Sequence, residues 1–442
     1  MVILVGLFKM GKKVKLINLV PQDQNFWILN DKNIKRLTKD ISTEVVVIGG
    51  GMAGLSAAQS FAENGSKVIL VEKNFCGSGA SGKSSGFITP DSELSLSTLI
   101  KMFGAVEAKK IWEFVISGVN KIKNNIEKYK IDCDFQEQNT LVLATSSYKF
   151  NQMIKPEFIS RKELGYNANL YETYELSKII NSNKYSGAVS YGGSFGINGY
   201  KYCSSLKEIL KNQGIDIYEE TVVTEVSENL VKTTDAQIRA DKIIVCTDYF
   251  VNALNLLKNK VYHAQTFLMI SSQLSEEQAK NIFPDDKFMA WDTDLIYHYF
   301  RLTGDNRLLL GGSSLFYTYM AEKHNSKFMI RLLSNYFRQK FGIKDITFEY
   351  IWPGLIGISK DLFPIAGFDK ELSSVYYILA AAGLPWAAAL GLHAPNHVLN
   401  KNSELEKYFS PYRKFPVDGF IQNLLGQKLS FAISNFLTTR SI

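Results

Sequence analysis

Residues 44–74, EVVVIGGGMAGLSAAQSFAENGSKVILVEKN, decide the fold. Glu44 to Ile48 is an apolar, β-branched run suited to a buried parallel strand, Leu55 to Glu63 reads as a helix, and Lys67 to Glu72 supplies a second strand. Between the first strand and the helix, Gly49, Gly51 and Gly54 stand in GxGxxG spacing, with Met52 and Ala53 inside the same turn. The glycines have separate tasks: a tight turn, a backbone bare enough for a pyrophosphate to approach, and close packing of helix on strand. The helix N-terminus offers unpaired N–H groups and a partial positive charge to phosphates. Glu72 stands 18 positions after Gly54, where a carboxylate can take both hydroxyls of a ribose, a choice that disfavours a 2′-phosphate and hence NADP. A GxGxxG alone is weak, but strand, turn, helix, strand and acid in register point to a dinucleotide site. The choice between FAD and NAD requires residues beyond Glu72.

Bulk properties bound the rest. The chain has 442 residues, 46% of them hydrophobic, enough for two or three domains with large cores. Cys76, Cys133, Cys203 and Cys246 form no CxxC pair or metal spacing, which suits free thiols in a reducing, cytoplasmic compartment. His393 and His397 are four apart, but a proline lies between them and no acid joins them, so no metal site is read. The net charge of +7 is uneven: the flanks 1–43 and 401–442 together hold +8 and the body about −1. The body is therefore no nucleic-acid platform, whereas the basic flanks are suited to solvated surface, to an acidic partner or to peripheral contact with a membrane. The apolar opening of residues 1–20 precedes its basic cluster and lacks a cleavage site, so export is not supported. Val375 to Leu392 is uncharged and near spanning length, but Gly383, Leu384 and Pro385 interrupt it, and strand, loop and helix is the better parse.

Further signals place the remaining elements. Residues 75–91, FCGSGASGKSSGFITPD, form a Gly/Ser-rich loop able to lie against a flat ligand. Ser92 to Lys130 reads as amphipathic helix, Thr140 to Thr145 as strand, residues 155–181 as mostly helical, and Tyr200 to Gln213 as helix. Ile215 to Tyr218, Val222 to Val226 and Lys242 to Thr247 read as strands of the nucleotide domain. Phe267 to Ser271, Ile296 to Arg301 and Arg307 to Gly312 suggest antiparallel strands, with a helix over Asn325 to Phe341. Gly419 to Thr438 places its apolar residues on one helical face, which can dock on its own body, another subunit or lipid.

With these blocks in hand, the chain resembles the FAD-dependent amine and D-amino-acid oxidoreductases, the group containing glycine oxidase, sarcosine oxidase and γ-glutamylputrescine oxidoreductase. VVVIGGGMAGLSAA with VEK, GASGKSSGF, ADKIIVCTDYF, YHYFRLTGDNRLLLGG, and IWPGLIGISKDLFPIAG followed by VYYILAAAGLPWAAALG carry the likeness, in family order. The resemblance implies an α/β fold: a Rossmann-like FAD-binding domain of the glutathione-reductase-like variant, interleaved with an α+β substrate domain built on an antiparallel sheet. The expected division is 44–130, 197–262 and 351–400 for the first, 131–196 and 263–350 for the second, with 1–43 an N-terminal extension and 401–442 a C-terminal helical tail.

By that resemblance, FAD is held non-covalently. Gly49, Gly51 and Gly54 line the pyrophosphate, and Glu72, followed by Lys73, takes the ribose. Ala80, Ser81, Gly82 and Lys83 follow the family's GASGR run, with Lys83 where arginine is usual. Ser84, Ser85 and Gly86 pass near the isoalloxazine ring. Val223 leans on the adenine, while Cys246 and Thr247 present backbone to the adenosine half. Gly357 and the loop Gly383, Leu384, Pro385 and Trp386 approach the pyrimidine end of the flavin, although Pro385 replaces a usual glycine. Ile356 stands where glycine-oxidase-like members carry a carboxylate-gripping arginine, which argues against a simple α-amino acid. The implied chemistry is oxidation of a C–N bond in a small amine or N-substituted amino compound, by hydride transfer to flavin and hydrolysis of the imine. Oxygen or a quinone-linked carrier then reoxidises the flavin. Tyr299 is implied to face the flavin, strand alternation brings Arg301 along either as a holder of acidic substrate groups or as a partner of a nearby acid such as Asp292 or Asp294, and His263 is a weaker candidate. The rival readings are oxidation of a 2-hydroxy acid on the same scaffold, and a structural flavin in a partner-binding or membrane-binding protein.

Overall fold

The run that opens the glycine motif becomes strand β1, Ile41–Ile48, and helix α1, Met52–Glu63, follows at once. The structure is a computed structural model that describes residues 25–28, 34–91, 93–319, 326–343, 345–399 and 406–440. Val45 to Ile48 are buried because strands flank β1 on both edges and apolar clusters cover both of its faces. Its parallel partners are β2, Val68–Val71, and β3, Gln237–Val245, and Asp216–Tyr218 continues the parallel order beyond β2. A hairpin of Val223–Ser227 and Leu230–Thr233 closes against the start of β3.

The second sheet has eight strands, in the order Phe348–Ile358, Tyr262–Gln273, Arg307–Gly312, Tyr299–Leu302, Phe288–Asp292, Asn139–Leu143, Gly187–Tyr191 and Asn169–Glu172. Below, β4 is Tyr262–Gln273, β5 is Tyr299–Leu302 and β6 is Phe348–Ile358. It is antiparallel throughout except where Phe288–Asp292 runs parallel to Asn139–Leu143, a pair joined by a long crossover rather than a turn. One face packs on the helix Ser326–Phe341. In the first sheet, the final strand β7, Val375–Leu379, pairs in parallel with the end of β3.

α1 covers one face of β1, and behind it α3, Leu384–Val398, packs on α1 and α2, Ala105–Tyr129, packs on α3, all in one apolar core with Val45 and Val47. The uncharged run over Val375 to Leu392 thus divides into strand, loop and helix. Among the described residues no helix is long and apolar enough to cross a membrane.

Three sequence expectations need correction. The strand expected from Ile296 begins at Tyr299, because Asp292 Oδ1 accepts the N–H groups of Asp294 and His298 and ties the intervening residues into a turn. Within 155–181, helix holds over Lys155–Glu163 and as a 3-10 segment over Thr173–Lys178, but between them Asn169–Glu172 pairs at the sheet edge, where tertiary pairing overrides local preference. The helix α4, Gly419–Arg440, breaks at Gly426 (φ 73°), which resets its phase and splits the single apolar face. Phe420 and Leu424 lie exposed before the break, whereas Phe431 is buried after it. The apolar opening over residues 1–20 lies outside the described residues.

Candidate active site

The two sheets enclose a cavity of about 1700 Å³, and the glycine turn forms part of its wall. Gly49 has φ +108°, and a Cβ there would meet Cys246 O at 2.5 Å; one on Gly54 would stand 1.8 Å from Gly49 O. The first residue therefore needs its turn and the second its close packing, as the spacing predicts. Gly51, Met52 and Ala53 line the cavity, and Gly54 is packed behind them. The N-cap of α1 is glycine, so its own side chain caps nothing; Ser81 Oγ reaches across and accepts from Met52 N–H at 2.9 Å.

Glu72 also faces the cavity, beside Lys73. One carboxylate oxygen accepts from Gly50 N–H at 2.8 Å and the other from Asn74 N–H at 2.9 Å. Burial pushes its carboxyl above the ordinary range, while these amides pull the other way. Ala80, Ser81, Lys83, Ser84 and Ser85 line the next stretch, whereas Gly82 and Gly86 turn inward against backbone. Val223, Cys246 and Thr247 complete that side, and Thr247 Oγ1 is buried with no partner among the described residues.

At the far loop the structure brings Gly383 and Leu384 to the cavity but not Pro385 or Trp386. The cause is helical rotation: α3 starts here, so Leu384 and Ala387 face the cavity while Pro385 packs on Gly118 of α2 and Trp386 on Phe114, Phe363 and Phe409. Gly357 also stays out of the wall. Its N–H donates to Asp248 Oδ2 at 2.6 Å, and Asp248 Oδ1 accepts from Ala380 N–H at 3.0 Å. Asp248, which sequence reasoning missed, thus ties the end of β6 to the end of β7. Asp248→Ala is expected to free both amides and to weaken FAD retention about tenfold or more, whereas Asp248→Asn, which keeps one acceptor, loses less. Equal FAD affinity in Asp248→Ala and the unaltered protein, measured by flavin fluorescence, would contradict this.

The cavity fits FAD on these grounds: backbone N–H groups at a helix start, a buried carboxylate beside them, an unpartnered hydroxyl, and a volume beyond that of most small-ligand pockets. The sequence model of the FAD dependent oxidoreductase family matches residues 44–394. The chain belongs to this family. As an FAD-dependent oxidoreductase it is 29% identical over 357 residues to a probable oxidoreductase, OrdL, of Haemophilus influenzae, covering 78% of this chain and 80% of that one. It is 25% identical over 358 residues to the gamma-glutamylputrescine oxidoreductase of Escherichia coli, covering 78% and 81%. In fold it is similar to glycine oxidase from Geobacillus kaustophilus, with a TM-score of 0.73, 18% identity, and 84% of this chain and 99% of that one covered.

The second sheet gives this FAD-dependent oxidoreductase an aromatic wall. Tyr299 lines it, and its hydroxyl lies 2.9 Å from Thr266 Oγ1; burial pushes the phenol up to about 12, so it stays neutral. Phe87 meets Tyr299 edge-on, with Trp291 and Tyr297 alongside. Glu93 accepts from Tyr297 Oη at 3.0 Å, and Gln265 is buried with neither amide atom partnered among the described residues.

Two expected substrate groups are not in this wall. Arg301 is fully buried; Nε donates to Ser85 O at 3.0 Å, Nη2 to Ile197 O at 2.9 Å and Nη1 to Leu302 O at 3.4 Å. Burial lowers it to about 10, still a cation at neutral pH, and it pins the serine loop to β5 instead of reaching a ligand. Strand alternation places it correctly beside Tyr299, but the segments around Gly86 and Gly196 close over it. His263 lies off the cavity as well, its ring stacked on Tyr262 at 4.3 Å.

A buried ion cluster backs the same wall. Arg161 Nη2 lies 2.9 Å from Asp91 and Nε 2.7 Å from Glu157, and its guanidinium stacks 3.4 Å over the Tyr191 ring. All four cysteines are buried free thiols, and among the described residues no group of three or more His, Cys, Asp or Glu is placed to hold a metal ion. Beyond α2, α4 contributes Ala432, Ile433 and Asn435 to the cavity, with Asn435 Oδ1 accepting from Tyr319 Oη at 3.0 Å.

Proposed function

We propose that this chain oxidises a C–N bond in a small amine or N-substituted amino compound. The observation that carries the reading is the character of the substrate wall: aromatic rings and a neutral Tyr299 phenol, with Ile356 on the cavity and no arginine among the described lining residues. Such a wall orients and desolvates an uncharged amine but offers no bidentate grip to an α-carboxylate. FAD held by the glycine turn and Glu72 would supply a hydride acceptor for the carbon next to nitrogen, and water would hydrolyse the resulting imine to a carbonyl compound and the released amine.

The chain's own groups orient the substrate and exclude water. Tyr299 and Thr266 offer a hydroxyl pair for the nitrogen, and the rings of Phe87 and Trp291 keep the reacting carbon dry. Two of the relatives, gamma-glutamylputrescine oxidoreductase and glycine oxidase, carry names that agree with nitrogen chemistry, while OrdL's names no substrate. Purified FAD-loaded protein, titrated without oxygen against primary and secondary amines, amino acids and 2-hydroxy acids, is expected to lose its yellow colour with an amine. Bleaching by a 2-hydroxy acid alone, with a keto acid formed and no amine released, would overturn the proposal. Oxygen uptake after reduction separates an oxidase from a protein that passes electrons to a quinone-linked carrier.

A further inference from the structure

Most carboxylates on the cavity are held by a cation or by backbone amides. Asp91 and Glu157 share the single charge of Arg161, Lys149 lies 2.5 Å from Asp294, and Glu72, Asp248 and Asp292 accept backbone N–H groups. Glu93 has neither among the described residues. It lines the same cavity, is only half-buried, and the hydrogen-bond partner it has among the described residues is the neutral phenol of Tyr297 at 3.0 Å. Aromatic rings run from that phenol along the wall in a chain: Tyr297 to Tyr299 at 5.9 Å, Tyr299 to Phe87 at 6.0 Å, and Phe87 to Trp291 at 6.2 Å between centroids. All four rings line the cavity.

Ring faces and a carboxylate share one preference, for a cation. The faces attract it through their quadrupoles, and a partly desolvated carboxylate attracts it more strongly than one in water. An anion placed here would meet Glu93 and no arginine. We infer that Glu93 and the rings of Phe87, Trp291, Tyr297 and Tyr299 form a subsite for a second, positively charged nitrogen of the substrate. The substrate class is then a diamine or other dicationic amine, not an amino acid with a free carboxylate. This rests on the reading of the chain as an amine oxidoreductase. Burial raises the Glu93 carboxyl above its ordinary range, and an incoming cation would draw it back and hold it ionised.

Two measurements on the FAD-loaded protein test the subsite. The first compares anaerobic flavin reduction by butane-1,4-diamine, n-butylamine and 4-aminobutanoate, which share a reacting end and differ in distal charge. The diamine is expected to half-saturate at a concentration about tenfold or more below n-butylamine, with 4-aminobutanoate weakest. The second is calorimetric binding of tetramethylammonium, a cation that cannot be oxidised at this site. Its affinity is expected to fall about tenfold in Glu93→Gln, a change of nearly equal volume whose folding is checked by the bound-flavin spectrum. The ordering in the unaltered protein needs no variant.

Reduction that ignores distal charge, or favours 4-aminobutanoate, overturns the inference while leaving amine oxidation standing. Tetramethylammonium binding equal in Glu93→Gln and the unaltered protein overturns it too. If no amine reduces the flavin but tetramethylammonium binding depends on Glu93, the cation subsite stands and the proposed reaction falls.

Discussion

Arg161→Leu is expected to cost about 3–5 kcal/mol of stability, since removing one partner of a buried ion cluster strands the others. In this protein the stranded groups are Asp91 and Glu157, whose side chains are almost wholly buried. Asp91 also accepts from Tyr191 Oη and from Thr89 Oγ1, and Glu157 accepts from Ser97 N–H at 2.8 Å. Those bonds satisfy the oxygens but not the charge. The loss is larger than that of a similar apolar truncation because leucine fills much of the volume and none of the field.

Acid should narrow the deficit. Burial already holds the Asp91 carboxyl above its ordinary value with Arg161 in place, and without the arginine it rises further. A carboxyl raised in the folded state favours folding most below its unfolded pKa, and the benefit fades as pH climbs through the folded value. The gap between Arg161→Leu and the unaltered protein is therefore widest near neutrality and shrinks toward pH 4. Denaturant unfolding at several pH values measures it. The triple change Asp91→Asn, Glu157→Gln and Arg161→Met should recover most of the loss, since no charge is then left buried. A gap of under about 1 kcal/mol at neutral pH would show that water reaches the cluster.

The largest effect on the cofactor is expected at Glu72. Glu72→Ala removes the acceptor of the Gly50 and Asn74 amides and, with it, the carboxylate that faces the cavity beside the helix start. Hydrogen bonds to a charged group contribute about 1.5–3 kcal/mol each, so if Glu72 holds the ribose as proposed, its loss should weaken FAD binding about a hundredfold or more. The variant should purify pale and take up colour only in excess FAD. Glu72→Gln keeps one acceptor and should fall between. Fluorescence titration of the flavin-free proteins gives the affinities, and a Glu72→Ala protein that retains FAD as the unaltered chain does would remove this residue from the proposed site.

How far the sequence discloses this molecule depends on how local each feature is. The strand, turn and helix from Ile41 to Glu63 are set by neighbours in sequence, and the glycine spacing predicts even the close approach at Gly54. The stretch from Ala80 to Ser85 is legible as cavity wall for the same reason, although Ala80–Lys83 forms a short helical turn where its small residues predict loop. Arg301 is not. Its place in the alternation is readable, but its partners, Ser85 O and Ile197 O, come from remote segments that bury it. Asp248 and Glu93 are silent in the sequence because Gly357, Ala380 and Tyr297 are brought to them by topology alone. Pro385 and Trp386 show a finer limit. The loop is found correctly, but which of its residues face inward depends on where α3 begins.

The cavity takes wall residues from Ile48 near one end of the numbering and from Phe436 near the other. A ribosome making this chain would thus present α1 and its glycine turn long before the opposite side of the chamber exists. Closure of the chamber becomes a late event in biogenesis, and until then its apolar lining stays open on the side that α4 completes.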